Sequence, residues 1–166
     1  MAKSSRGPPR DTGGGLRPAV PNPGAFAALV RAIEPRLRAE TPASFAGLAR
    51  ATDGALEIYV VGANSQPVAA IVSESQASSG SHVRVRVVTG RQHSLGELEA
   101  LRDQITAAQP RLKGGGVALT EWAVDIQANK VRIGVLNLDP AKCALLGQEF
   151  GADRIEVVPG GYYNWR

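Results

Sequence analysis

The sequence predicts an α/β (α+β) fold: one mixed β-sheet of about five strands with helices on one face. Three observations carry this. Short β-branched runs bounded by turn residues alternate with segments of helical period. Helix starts are punctuated at Ser94/Glu97 and at Asp139-Pro140. A weak repeat relates LEIYVVG–helix–VRVRVV to VRIGVLN–helix–RIEVVPG, so two similar βαβ halves joined by a helix are expected, each with a right-handed parallel crossover.

Residues 1–24 hold Gly13-Gly14-Gly15 and five prolines without a hydrophobic period, and read as a disordered basic arm. Residues 25–53 read as a helical segment. Phe26, Leu29, Val30, Ile33 and Leu37 recur at three-to-four spacing, and Pro35 should kink or split that helix. Thr41-Pro42 should open a second short helix with Phe45, Leu48 and Ala49 on its apolar side, stopped by Asp53-Gly54.

The α/β domain is expected over 54–160. Residues 56–61 form a strand, and Ser65-Gln66-Pro67 starts a helix that Gly80 ends. Residues 82–88 alternate strictly, with Val83, Val85 and Val87 on one face and Arg84 and Arg86 on the wet one. The Ser94–Glu97 capping box opens a helix with Leu95, Leu98, Leu101 and Ile105 as its core stripe, ending near Pro110. Gly114-Gly115-Gly116 reads as a flexible joint. Residues 119–127 and 130–136 should form an antiparallel hairpin about Ala128-Asn129. Asp139-Pro140 opens a helix that stops at Gly151, and residues 154–158 are the last strand, ended by Pro159-Gly160-Gly161. Residues 161–166 read as a flexible aromatic tail.

Composition narrows the function. The 166 residues carry a net charge of +4, with 43% hydrophobic and 5% aromatic residues. The positive charge is concentrated early: residues 1–50 have eight Lys and Arg against three acids, and the remainder eleven against twelve. No apolar run approaches the length of a membrane span. The single cysteine, Cys143, allows no internal disulfide and reads as a buried apolar residue. With no apolar stretch behind the basic N-terminus, the chain as given is expected in the cytoplasm, or secreted if it is a fragment of a longer precursor.

A search for chemistry finds no catalytic constellation and no cofactor or metal site. His82 and His93 are the only histidines and read as element-end surface residues. They give no zinc spacing with Cys143. Glu121 and Asp125 read as a solvated strand face. The glycine triplets precede no helix in the manner of a phosphate loop. Nucleic-acid binding through the basic arm with Arg84 and Arg86, and with Arg132 nearby, is the alternative function. Tyr162, Tyr163 and Trp165 crowd the last five residues. They either anchor in a partner's groove or fold back on the sheet.

The stretch from Leu119 through Trp122, Asp125, Asn129 and Lys130 to Val135, with the helix before it and the helix and strand after it, resembles the propeptides of streptogrisin- and alpha-lytic-type chymotrypsin-like serine proteases. The resemblance covers about residues 94–160, without the protease domain. It implies a non-catalytic protein-binding module, a folding helper and inhibitor of such a protease. It also implies that Val157 and Val158 lie on a docking strand, and that Pro159 to Arg166, with Tyr162, Tyr163 and Trp165, form a tail directed to the protease cleft.

Overall fold

The chain runs through one five-element string twice. In the computed structural model, which describes residues 23–161, helix α1 (Pro23–Glu40), strands β1 (Phe45–Arg50) and β2 (Leu56–Val61), helix α2 (Gln66–Ser79) and strand β3 (Val85–Arg91) make the first copy. Helix α3 (Leu95–Gly114), strands β4 (Leu119–Asp125) and β5 (Lys130–Leu136), helix α4 (Pro140–Phe150) and strand β6 (Ile155–Gly160) make the second. Each copy is helix–strand–strand–helix–strand, which extends the expected βαβ repeat by a helix and a strand at its front.

The α/β class holds, but the strands divide over two sheets of three, ordered β1-β2-β3 and β4-β5-β6, rather than forming one sheet of about five. In both, an antiparallel hairpin is followed by a parallel crossover. Both hairpins also bulge at the same place, between Phe45 and Gly47 in β1 and between Leu119 and Glu121 in β4. Leu56, Ile58 and Val60 of β2 are fully buried, as are Val131, Ile133 and Val135 of β5. The first row packs with Leu29, Ile33 and Leu37 of α1 and with Val68, Ile71 and Val72 of α2. The second packs with Leu98, Leu101 and Ile105 of α3 and with Leu146 and Phe150 of α4. Each sheet thus has both its helices on one face and a core of its own, and the second copy adds Leu95 and Val124 to the first core.

The sixth strand is β1, in residues expected to be helical. Its bulge explains the misreading. Phe45 and Ala46 are both buried, which breaks the period of two and leaves Phe45, Leu48 and Ala49 spaced as on a helix. Gly47, at φ +124°, holds a conformation outside the helical region, and a Cβ there would meet Ile126 Cγ2 at 2.7 Å. Thr41 closes α1 rather than opening a helix: its hydroxyl donates to the Leu37 carbonyl at 2.8 Å.

Prolines end fewer elements than expected. Pro35 does not split α1. It lies on the exposed side, where a freed carbonyl can face water, and the Arg36–Glu40 and Arg38–Glu34 pairs bridge the neighbouring turns. Helix α3 runs past Pro110 to Gly114 because Leu112, 2% exposed, draws one more turn onto the core. The glycine triplet then closes that helix instead of hinging it, with Gly115 donating to Arg111 and Val117 to Leu112. Strand β3 starts three residues later than expected and continues to Arg91.

The joint between the copies is residues 92–94, and one side chain holds it. Asn129, at φ +56° in the β4–β5 turn and 6% exposed, accepts from the Gln92 and His93 amides at 2.9 Å each and donates to the His93 carbonyl at 2.8 Å. Arg91 adds a bond to the Gln127 carbonyl at 2.9 Å and lies 4.3 Å from the centre of the Tyr59 ring. Arg38 of α1 grips Glu99 of α3 with two bonds at 3.0 and 3.1 Å.

The capping box forms as expected. The Ser94 amide and hydroxyl donate to Glu97 Oε2 at 2.7 and 2.9 Å, and the Glu97 amide returns a bond to Ser94 Oγ at 3.3 Å. The Ser94 amide first, then its hydroxyl, hold the Glu97 carboxyl below its ordinary value of 4.5. A carboxylate shifted down on folding contributes its stability above its unfolded pKa and loses it as pH falls through its folded pKa. Ser94→Ala should cost about 1 kcal/mol. The stability gap between wild type and Glu97→Gln should be widest at neutral pH and close as pH falls below about 4.5, read by thermal melts across pH. Asn129→Ala should cost on the order of 2–3 kcal/mol in urea unfolding, through the unmet amides of the joint. Asn129→Gly relieves the backbone conformation but not those amides, so it should cost nearly as much.

Candidate docking edge

Helix α4 delivers the chain to the second sheet's outer strand. Asp139 caps it, accepting the Lys142 amide at 2.8 Å. Gly151, at φ +88°, ends it and turns the chain into β6. The Val131 amide donates to the Arg154 carbonyl at 2.9 Å. In a parallel ladder the amide and carbonyl of one residue point the same way and neighbours alternate. Residues 154, 156, 158 and 160 therefore face β5, while Ile155, Val157 and Pro159 turn their backbone groups away from it. Among the described residues no strand pairs with that outer side. The Ile155 amide already donates to the Gly151 carbonyl at 3.2 Å and Pro159 has no amide, so the edge offers one amide donor, that of Val157, and three carbonyl acceptors.

Strand β6 also continues to Gly160, past the expected stop at Pro159. Pro159 is tolerated because its missing amide falls on the open side. Val157 pairs with Ile133 and packs partly on the second core, whereas Val158 pairs with Gly134 and points to the other face, half-buried. The expected docking strand is thus an edge strand, with its two valines on opposite faces. Tyr162, Tyr163, Trp165 and Arg166 lie outside the described residues, as does nearly all of the basic arm.

Three residues missed in the sequence shape this edge. Thr120, at the β4 bulge, lies across Gly134 and Gly160. A Cβ on Gly134 would come 2.7 Å from Thr120 Oγ1, and one on Gly160 would overlap that same oxygen and come 2.9 Å from the Gly134 carbonyl carbon. The Thr120 hydroxyl is buried without a hydrogen-bond partner among the described residues. Nothing in a strand pattern announces a side chain crossing two strands. Gly134 and Gly160, two register positions apart in neighbouring strands, are its trace in the sequence.

The other candidates are dispersed. Asp125 accepts the Ala128 amide at 2.8 Å within the hairpin turn, and the Trp122 indole donates to Thr106 Oγ1 at 2.7 Å, so both are framework residues. Glu121 is exposed at the β4 bulge. His82 is exposed as expected, but His93 is not a surface residue: its side chain is 14% exposed, and its Nε2, buried without a hydrogen-bond partner among the described residues, stands 3.7 Å from Asp153. Cys143 is a free, half-buried thiol rather than a fully buried one. Arg84 pairs with Asp53 at 3.1 Å, and Arg86 pairs with Asp53 and with Glu57 at 3.2 Å. Those carboxylates neutralise the arginine face that the nucleic-acid alternative requires. Among the described residues no cluster of three or more His, Cys, Asp and Glu is placed to hold a metal, and no helix is long and apolar enough to cross a membrane.

Gly160→Ala should lower stability by about 1–3 kcal/mol, read by chemical denaturation, because its new methyl meets both Thr120 and the β5 backbone.

No curated protein matches the chain. Residues 93–153, which carry α3, the β4–β5 hairpin and α4 and stop just short of the open strand, match the family model of the alpha-lytic protease prodomain.

Proposed function

We propose that this chain is a non-catalytic, propeptide-like module that docks on a chymotrypsin-like serine protease, assisting its folding and inhibiting the folded enzyme. The match to the alpha-lytic protease prodomain carries this reading. The open edge of β6 supports it physically. A partner strand laid along Ile155, Val157 and Pro159 gains main-chain hydrogen bonds independent of its side chains, and a three-stranded sheet becomes a larger one. The chain leaves that edge directly into Tyr162, Tyr163, Trp165 and Arg166. Aromatic and arginine side chains are the types that anchor in a desolvated cleft. Docking along the strand therefore brings the last residues to the partner at no further cost in loop closure.

The test uses the full chain, a version ending at residue 161, and Val157→Pro, which removes one outward donor and leaves the β5 ladder whole. Each is added to a streptogrisin-type protease, measuring inhibition of the folded enzyme and recovery of activity on refolding. Loss of the last five residues should weaken inhibition by about tenfold or more, and Val157→Pro should slow the assisted refolding. Binding should change little with salt, whereas phosphate contacts would fade steeply. Full inhibition by both variants, or none by the full chain, would sink the reading.

A further inference from the structure

Where the two copies meet, their own contacts leave a cleft of about 410 Å³. Leu48 of β1 and Trp122 and Val124 of β4 give it apolar walls, and Glu34 and Arg38 of α1 face Glu99 and Arg102 of α3 across it. Those charges do not cancel. Arg38 serves both glutamates, giving Nε to Glu34 Oε1 at 3.0 Å and its two terminal nitrogens to Glu99 at 3.0 and 3.1 Å. Arg102 is held by its neighbour Asp103, at 2.8 and 3.0 Å. One carboxylate is therefore in excess, and the second oxygen of Glu34 takes no hydrogen bond among the described residues.

The chain ahead of α1 has the chemistry to meet this cleft. Residues 1–22 hold four basic residues against one acid, and Leu16-Arg17-Pro18-Ala19-Val20-Pro21 sets an arginine before a Pro-x-x-Pro spacing. Proline-rich segments dock in aromatic-lined grooves because little conformational entropy is left for them to lose. An arginine beside them adds a charge-assisted bond to a carboxylate. Reach agrees with chemistry. Positions 23, 27, 34 and 38 of α1 fall within about 60° of one another around the helix axis, so the chain enters α1 on the side that carries Glu34 and Arg38. Glu34 lies about 17 Å along that axis from Pro23. The six residues back from Pro23 to Arg17 span about 19 Å in polyproline geometry, which brings Arg17 level with Glu34.

We propose that residues 16–21 fold back along α1 and close this cleft, with Arg17 on the open oxygen of Glu34 and with Leu16 and Pro18 against Leu48 and Trp122. The segment then touches α1 and β1 of the first copy and β4 of the second, and acts as a strap across the joint beside the Arg38–Glu99 pair. A tethered segment is present at an effective concentration on the order of 1 mM, so a weak contact is enough to hold it. The arm of a second copy has the same chemistry but lacks that advantage. The strap does not depend on the protease reading, which uses β6.

NMR of the full chain tests it. Nuclear Overhauser contacts are expected between the Leu16 methyls and the Trp122 ring, unchanged on about tenfold dilution. Arg17→Glu, a change confined to the arm, should erase them and shift the Trp122 indole signal, while the amides of Val87 and Val157 stay in place. Glu34→Gln, which removes the charge that Arg17 meets, should weaken the contacts severalfold, and Arg17→Lys should keep them. Absence of any contact between Leu16 and the Trp122 ring, or a Trp122 indole signal identical in wild type and Arg17→Glu, overturns the proposal. Contacts that fade on dilution assign the cleft to another copy's arm, and overturn it equally.

Discussion

Three hydrogen bonds from the Asn129 side chain hold the joint on which the two copies meet. They satisfy the backbone of residues 92 and 93 at the point where the chain leaves one sheet and enters the helix that starts the next. A connector of so few residues cannot form secondary structure of its own, so its amides must find partners elsewhere. Asn129 supplies them because the left-handed backbone of a tight turn suits asparagine, whose buried side-chain amide reaches the joint. The capping box at Ser94 follows at once and fixes the direction of α3. The Arg91–Tyr59 stack and the Arg38–Glu99 pair reinforce a geometry already set.

Repetition explains much of the rest. Two copies of one string give two aliphatic cores, two bulged hairpins and two outer parallel strands. Divergence then acts on the edges. In the second copy a proline removes one donor from the open side, and the strand leads straight into an aromatic, arginine-ended segment. In the first copy the outer strand is irregular between Val88 and Arg91, and its Arg84 and Arg86 pair with acids. The same backbone scaffold thus presents two outer strands of different chemistry.

Much of the fold was legible where local chemistry and tertiary structure agree. Ser94/Glu97, Asp139-Pro140 and Gly80 mark helix ends in the sequence and do so in the structure, because caps are local hydrogen bonds. The β4–β5 hairpin and the buried rows of β2 and β5 follow from turn chemistry and aliphatic alternation. The readings failed where a long-range contact overrides a local signal. A bulge disguises β1 as a helix, Leu112 pulls α3 past Pro110, and an open strand edge accommodates Pro159. The candidate edge was partly visible: the resemblance put Val157 and Val158 on a docking strand, but that the strand is outermost, and which backbone groups face outward, depends on the pairing with β5.

The sequence by itself determined the α/β class, most element positions and the likeness of the two halves, since these rest on period, caps and turn residues a few positions apart. Only the tertiary structure decided that there are two sheets rather than one, that Thr120 crosses Gly134 and Gly160, that Arg84 and Arg86 are neutralised, and that β3 and β6 are the outer strands among the described residues. Each of these depends on which distant residues are brought side by side, and burial and pairing between strands, not local preference, set that.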